Sequence, residues 1–173
     1  MTDIAPPTLQ ALRVRICRIL PAQVRAAVEP LTDEEIWWRP NASSNSIGNL
    51  ILHLSGSLNH YLNRNIGAIN YDRDRAAEFA AEGPIPKQTL MSAFDEMVTR
   101  AEQTFDGLDA ARLGGPSSDP PRATYLIEDL ISIVTHLSTH TGQVLWIAKS
   151  LREGGFDEVW IRTHKRLGGW KQA

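Results

Sequence analysis

Several residue types and patterns that mark common protein classes are scarce in this chain of 173 residues. It has a single cysteine, Cys17, which excludes an internal disulfide and a cysteine-rich zinc finger and is typical of a reducing compartment. No apolar stretch approaches the roughly 20 residues that a membrane-spanning helix needs. The opening MTDIAPPTLQ lacks the basic region followed by an apolar run that marks a secretory signal. We therefore expect a cytoplasmic protein with no membrane partner.

An excess of charge of either sign is missing as well. The chain has 18 Lys and Arg against 20 Asp and Glu, which gives a formal net charge of −2. Its basic residues cluster only in RTHKR at 162–166, which is typical of a solvated chain end. Because nucleic-acid-binding domains concentrate positive charge on one face, we predict no nucleic-acid partner.

Common catalytic signatures do not occur either. The sequence contains no HExxH motif, no glycine-rich phosphate loop and no recognisable Ser-His-Asp order. A zinc protease of the usual kind, a P-loop nucleotidase and a serine hydrolase are therefore not indicated.

Helical periodicity dominates what is present. No run alternates apolar and polar residues with β-branched enrichment, whereas several segments repeat apolar residues at spacings of three and four. This pattern predicts four long helices, over about residues 8–28, 46–67, 88–108 and 123–151. Pro21 should kink or split the first of them, because proline lacks an amide hydrogen and clashes with the preceding turn.

The connections also contain local signals. Thr32 is a candidate cap for a short helix in TDEEIWW, and Ser46 is a candidate cap for the second long helix. The stretch 67–86 reads as a connection with one short helix, and GGPSSDPPR at 114–122 reads as a loop. The predicted fold is all-α, an antiparallel-type four-helix bundle with a kinked first helix and short extra helices in its connections. We expect one domain over 1–173, with a core at about 8–152 and a tail at 153–173.

Two histidines four residues apart stand out in the last helix, in HLSTHTGQ at 136–143. At 100° per residue, His140 lies about 40° from His136 and Ile133 about 60° away, so both rings fall within the apolar stripe. An unpaired buried polar group costs roughly 1–3 kcal/mol, so the rings need partners. Two interpretations remain open, which are hydrogen-bonded core histidines and two ligands of one metal ion.

A metal site would need a third ligand from another helix. His53 in LILHLSG flanks the apolar stripe of the second helix and is the best candidate. His60 is only about 20° further round that helix but roughly 10 Å further along its axis. His164 lies in the tail, where we expect it to be exposed.

Four polar residues are candidates for the surroundings of this site. Asp129 and Gln143 can orient the histidine rings of the fourth helix, or they are simply a helix-start acid and a polar edge residue. Asn49 and His60, on the His53 side, can line the entrance of a pocket or face solvent.

Two segments of the sequence form a recognisable set. NSIGNLILHLSGSLNHYL and ISIVTHLSTHTGQVLWIAKSL resemble the two helical motifs of the DinB-like superfamily, the damage-inducible and YfiT-like metal-binding bundles. WWRPNASSNSIGNL and DRDRAAEFA resemble one branch of it, and the similarity extends over about residues 31–151. The resemblance implies a four-helix bundle in which His53, His136 and His140 bind a divalent metal, usually zinc or nickel. It also implies a homodimer.

The resemblance and the chemistry of the ligands together suggest a function. Relatives of this kind include enzymes that use low-molecular-weight thiols, such as bacillithiol S-transferases and mycothiol-dependent maleylpyruvate isomerases. Three histidines on a zinc-like ion leave a coordination position open, where a thiol or a water can lose a proton easily. We therefore expect a metal-dependent, thiol-using transferase that acts on a small molecule of unknown identity. The alternatives are a metal-dependent hydrolase and a non-catalytic metal- or ligand-binding bundle.

Overall fold

A computed structural model describes residues 3–117, 124–154 and 159. Within those ranges the chain is helical, and the only β contact is an isolated bridge between Pro116 and Tyr125. The prediction of an all-α fold is confirmed. No helix in the described ranges is both long enough and apolar enough to cross a membrane.

Four rods form the bundle. The first rod consists of α1 (Ala5–Val14), a π turn (Arg15–Ile19) and α2 (Leu20–Val28). The second rod consists of α4 (Ile47–Leu58) and a second π turn (Asn59–Arg64). The third and fourth rods are α6 (Lys87–Asp106) and α7 (Leu126–Leu151). Shorter elements lie between the rods, namely α3 (Asp33–Trp37), α5 (Arg75–Ala80) and a 3₁₀ helix (Ala110–Gly114).

The predicted interruption at Pro21 takes the form of the first π turn. Pro21 lies in the first turn of α2, and the amide of Leu20 donates to the carbonyl of Arg15, five residues back. The wider π turn accommodates a proline that has no amide hydrogen to donate. The rod begins at Ala5, three residues earlier than predicted, because the prolines at 6 and 7 fall in the first helical turn. There the missing amides would have no helical acceptor anyway.

Both predicted helix caps are confirmed. The hydroxyl of Thr32 accepts from the amide of Glu35, whose carboxylate accepts in return from the amide of Thr32. Ser46 and Asn49 exchange the same pair of bonds at the start of α4. The predicted short helix of the 67–86 connection is α5. The fourth rod begins at Leu126, and the predicted start at 123 lies outside the described residues.

Ion pairs along the rods fix their directions. Arg13 pairs with Glu102 and Arg25 pairs with Asp95, so the first rod and α6 are antiparallel. The first rod packs on α6 and α7, and the second rod also packs on α6 and α7. The first and second rods are therefore diagonal to one another, as are α6 and α7.

A long crossover joins the second rod to α6. Gly67 lies beside Thr104, near the end of α6, whereas Lys87 begins α6 and its ammonium donates to the carbonyl of Leu31. The 20 residues of α6 span about 30 Å, so the segment 67–86 runs back along the whole length of that helix. On its way it packs α5 against α4.

The core fills the space between the rods. Residues from every rod contribute fully buried apolar side chains, including Ile16, Val24, Leu54, Leu58, Phe94, Met97, Leu130 and Leu137. The thiol of Cys17 is also buried, which raises its pKa to about 12. Cys17 is therefore an inert core residue at neutral pH.

Candidate metal centre

Three histidines from two antiparallel rods meet between α4 and α7, where His53 is buried and His136 and His140 are partly buried. His53 projects from α4, and His136 and His140 project from successive turns of α7. The ring centroids are 5.0 Å apart for His53 and His136, 4.9 Å for His53 and His140, and 4.5 Å for the α7 pair. One nitrogen from each ring lies within 4.8 Å of the other two. We call these three residues the histidine cluster.

A buried carboxylate fixes the orientation of His53. Nδ1 of His53 donates to Oε2 of Glu78 at 2.9 Å, and both side chains are less than a tenth exposed. Arg73 binds the same carboxylate with two nitrogens, Nε to Oε1 at 2.7 Å and Nη2 to Oε2 at 2.8 Å. Such a two-point pair holds a carboxylate rigidly in one plane. Glu78 therefore keeps the hydrogen of His53 on Nδ1 and leaves the lone pair on Nε2 for the centre of the cluster.

Gly56 makes room for this arrangement. It lies in α4 three residues after His53, and a Cβ atom there would stand 2.0 Å from Oε1 of Glu78 and 2.8 Å from its Cδ. Real Cβ atoms do not approach other atoms so closely, so any larger residue would displace the carboxylate. The glycine is thus required by a close approach of the crossover to α4.

His140 is oriented in a similar way. Its Nδ1 lies 2.7 Å from Oε1 of Gln143, one turn further along α7. With Nδ1 donating to that oxygen, Nε2 of His140 carries the free lone pair. The structure therefore places Gln143 where the sequence suggested a ring-orienting partner.

His53 and His136 are neutral at pH 7 because their pKa values lie below the ordinary histidine value. Burial, together with the neighbouring His140 and His53, lowers the pKa of His136 to about 4. Burial also lowers the pKa of His53, and the hydrogen bond to Glu78 only partly opposes that effect. Burial raises the pKa of Glu78, but the bonds from Arg73 and His53 outweigh it, so this pKa lies below the ordinary value. A buried anion beside neutral imidazoles is the charge state that a cation requires of its ligands.

The side chains themselves fit a metal ion. Nε2 of His53 and Nε2 of His136 are 3.0 Å apart, a distance at which two lone pairs repel unless a hydrogen or a cation lies between them. Imidazole nitrogens about 2.1 Å from a tetrahedral zinc stand a little more than 3 Å from each other, so small side-chain adjustments suffice.

Comparison with known proteins assigns the chain to a family. The family model of the DinB superfamily matches residues 18–144, nearly three quarters of the sequence. The chain belongs to the DinB superfamily. The predicted resemblance is therefore confirmed, and the matched segment contains the whole histidine cluster as well as Arg73 and Glu78. No curated protein and no solved structure matches this chain.

In this DinB bundle a cavity of about 190 Å³ adjoins the histidine cluster. The second rod and α7 line it together, with His136 at one end; its other wall residues are Ser57, Leu58, Tyr61, Asn65, Asp129, Ser132 and Ile133. The cavity is therefore large enough to admit several water molecules. It can hold a small ligand next to the cluster.

The remaining predicted residues of this DinB site lie at different distances from the cluster. Asp129 lines the cavity, and its carboxylate accepts from the hydroxyls of Ser117 and Thr124 rather than from a histidine ring. His60 lies in the second π turn, with its ring 4.8 Å from that of Tyr61. His164 lies outside the described residues.

Asn49 is not among the residues that line the cavity and is fully buried instead. Besides capping α4 with Ser46, it donates through Nδ2 to the backbone carbonyls of Glu78 and Ala81. Asn49 therefore fastens α5 to α4 and supports Glu78 indirectly.

Sequence reasoning missed Glu78, Arg73 and Gly56. The first two stand in DRDRAAEFA, a segment that resembles the family but shows no spacing relative to His53. Gly56 was the one local signal, because a glycine in the interior of a helix often marks the close approach of another segment.

Proposed function

We propose that this DinB protein binds a divalent cation, zinc or nickel, through His53, His136 and His140, and uses it in the transfer of a small thiol to an electrophile. The observation that supports the proposal is the convergence of three imidazoles beside a ligand-sized cavity. Zinc and nickel suit imidazole donors, and three protein ligands are typical of catalytic rather than structural zinc sites.

The proposed transfer combines activation of a thiol at the cation with binding of that thiol in the adjoining cavity. When bound, the cation supplies Lewis acidity, which lowers the pKa of a thiol or water that reaches it. The cavity would hold that thiol against the apolar side chains of Leu58 and Ile133. In the transfer the sulfur electron pair forms a bond to the electrophilic carbon while the bond from that carbon to its leaving group breaks. The thiol proton passes to solvent, so the step needs no additional oxidant or reductant.

His53 is the ligand that the protein controls most closely. The Arg73–Glu78 pair holds its ring, and the crossover brings that pair to α4 from outside the bundle. Second-sphere carboxylates of this kind raise the basicity of a histidine ligand and fix its direction. We therefore infer that Glu78 is a positioning residue and that it contacts neither the cation nor the substrate.

The metal proposal has a direct test. The double variant His136→Ala/His140→Ala should lose bound zinc or nickel in elemental analysis by mass spectrometry, because only His53 then remains. His60→Ala is the matched control, since it also removes a histidine from the bundle, and it should keep the metal content of the unaltered protein. Retention of one equivalent of metal by the double variant would show that the ligands lie elsewhere.

The transferase proposal is tested with metal-loaded protein and a panel of bacillithiol, mycothiol, glutathione and coenzyme A, each with an aryl chloride as the electrophile. We expect turnover that depends on both thiol and metal. A metal-dependent hydrolase is a second candidate because Asp129 lies on the cavity wall, where its carboxylate can accept a proton that cavity water relays from the cluster. Turnover of esters or amides without thiol would favour it. Metal binding without either activity would indicate a non-catalytic bundle.

A further inference from the structure

The wall of the cavity beside His136 bears one charged group that the transfer chemistry does not use. Asp129 is the only acidic residue on that wall, and none of the described residues lining the cavity is a lysine or an arginine. The carboxylate accepts from two neutral hydroxyls, those of Ser117 and Thr124, so its charge is not offset there. The cavity therefore has a negative end.

The guanidinium of Arg73, which contacts the cavity-lining residue Tyr61, does not neutralise this end. Arg73 stacks over the ring of Tyr61 at 5.7 Å, but both of its bonding nitrogens are bound to Glu78 and it does not line the cavity. A ligand with a carboxylate or phosphate near its sulfur would find no cationic side chain among the described residues of this wall. A ligand with an ammonium group would find a partner.

The spacing along α7 limits the size of such a ligand. Asp129 and His136 are seven residues apart, which places them on nearly the same side of the helix and about 10 Å apart along its axis. A molecule that reaches from the carboxylate to the histidine cluster needs a chain of only two or three carbons between its end groups. The cavity of about 190 Å³ is consistent with a molecule of that size.

We propose that the cavity selects small amino thiols, with the ammonium group bound by Asp129 and the sulfur directed at the histidine cluster. Ser132, Ser57 and Asn65 offer neutral oxygen acceptors for the remaining ammonium hydrogens, and Leu58 and Ile133 contact the carbon chain. A charge-assisted hydrogen bond is stronger than a neutral one, so Asp129 distinguishes an amine from an amide. This inference rests on the proposed thiol function and adds the chemical class of the thiol.

The test uses the full chain loaded with cobalt(II), whose visible and near-ultraviolet spectrum reports binding of sulfur. Three thiols of similar size are titrated: cysteamine, N-acetylcysteamine and 3-mercaptopropionate. The acetylated compound differs from cysteamine by the loss of the amine charge, and mercaptopropionate has a negative charge in place of the positive one. We expect cysteamine to bind about tenfold more tightly than N-acetylcysteamine, and mercaptopropionate to bind most weakly.

Asp129→Asn should reduce that preference to about twofold or less, because the amide loses the charge. Its oxygen can still accept from one of the two hydroxyls, and its NH2 group can donate to the other. Glu128→Gln is the matched control. It removes one negative charge from the adjacent position and keeps an oxygen that can accept from the amide of Tyr125, so the preference should persist. Circular dichroism of both variants checks that α7 remains intact.

The possible results distinguish a failure of amino-thiol selection from a failure of the proposed thiol function. Equal affinity for all three thiols in the unaltered protein, or an unchanged preference in Asp129→Asn, overturns the selection of amino thiols and leaves the thiol function intact. A cobalt spectrum that responds to none of the three thiols overturns the thiol function itself.

Discussion

At the scale of single residues, Glu78 decides how the histidine cluster is held. Glu78→Gln keeps an acceptor for Nδ1 of His53 but removes the charge and leaves Arg73 buried without its counter-ion. We expect the affinity for zinc to fall about 10- to 100-fold, the usual effect of losing such a support. Competition with a chromophoric chelator measures it.

The exposed Glu82→Gln, two residues after α5, is the matched control for that change and should bind zinc like the unaltered protein. Glu78→Gln should also unfold more easily, by about 3–5 kcal/mol, because an uncompensated buried charge remains. The zinc affinities are therefore compared at a temperature below the unfolding transition of Glu78→Gln. An affinity within twofold of the control would show that Glu78 does not support the site.

At the scale of elements, the contact between α4 and the crossover makes glycine more favourable than alanine at position 56. This is the reverse of the usual preference inside a helix. Alanine is favoured over glycine by about 1 kcal/mol in the interior of a helix. Gly56→Ala should nevertheless lower the free energy of unfolding, since its Cβ would overlap the carboxylate of Glu78. It should weaken zinc binding at the same time.

Gly142→Ala is the internal comparison. Gly142 also lies inside a helix, α7, but a Cβ there would meet nothing within 4 Å. This change should raise the free energy of unfolding by about 0.5–1 kcal/mol. Urea titrations of both variants measure the two effects, and equal shifts in one direction would contradict the packing argument.

A second link between elements depends on pH. Arg152, at the end of α7, binds Glu35 of α3 with two nitrogens, at 2.7 and 3.1 Å. This hydrogen bonding, together with the amide of Thr32, lowers the pKa of Glu35 from 4.5 to about 2. A carboxyl with a lowered pKa in the folded state stabilises the protein above its unfolded pKa, and the stabilisation disappears as pH falls towards the folded value.

Glu35→Gln should therefore be less stable than the unaltered protein at neutral pH. The difference in the free energy of unfolding should shrink as pH falls from about 4.5 towards 2. Urea unfolding of both proteins across that range measures it. A difference that stays constant with pH would show that the charge of Glu35 contributes nothing.

At the scale of the whole molecule, the core and the proposed metal have separate roles. Buried apolar side chains from all four rods hold the bundle together, so the metal-free protein should remain folded. A ligand that binds only the folded state adds about 2.7 kcal/mol when present at 100 times its dissociation constant. Chelation should thus lower the melting temperature reversibly in calorimetry. As a control, the melting temperature of His136→Ala/His140→Ala should not change when zinc is added. Unfolding of the unaltered chain on chelation would show that the core alone does not keep the protein folded.

Assembly and domain organisation remain predictions at this scale. We propose a homodimer and a single domain over 1–173. Light scattering on the metal-loaded chain tests the first, and limited proteolysis tests the second by showing whether a stable fragment smaller than the bundle exists.

The local features of this protein follow from short stretches of its sequence. Capping bonds join residues that are three apart in the sequence, so the caps at Thr32 and Ser46 could be predicted from a few adjacent residues. The four rods could be predicted because the apolar residues of an amphipathic helix recur every 3.6 residues. The position of His136 and His140 on one face of a helix could be predicted in the same way, because residues four apart in a helix lie on the same side.

The surroundings of the histidines depend on how distant segments of the chain pack together. Glu78 is 25 residues from His53, and the position where the crossover touches α4 depends on packing along its whole path rather than on any local pattern. The requirement for glycine at 56 and the attachment of α5 by Asn49 arise from that same contact. A periodic pattern shows which face of a helix is buried, but the partner on that face is fixed only when the rods and the crossover pack together.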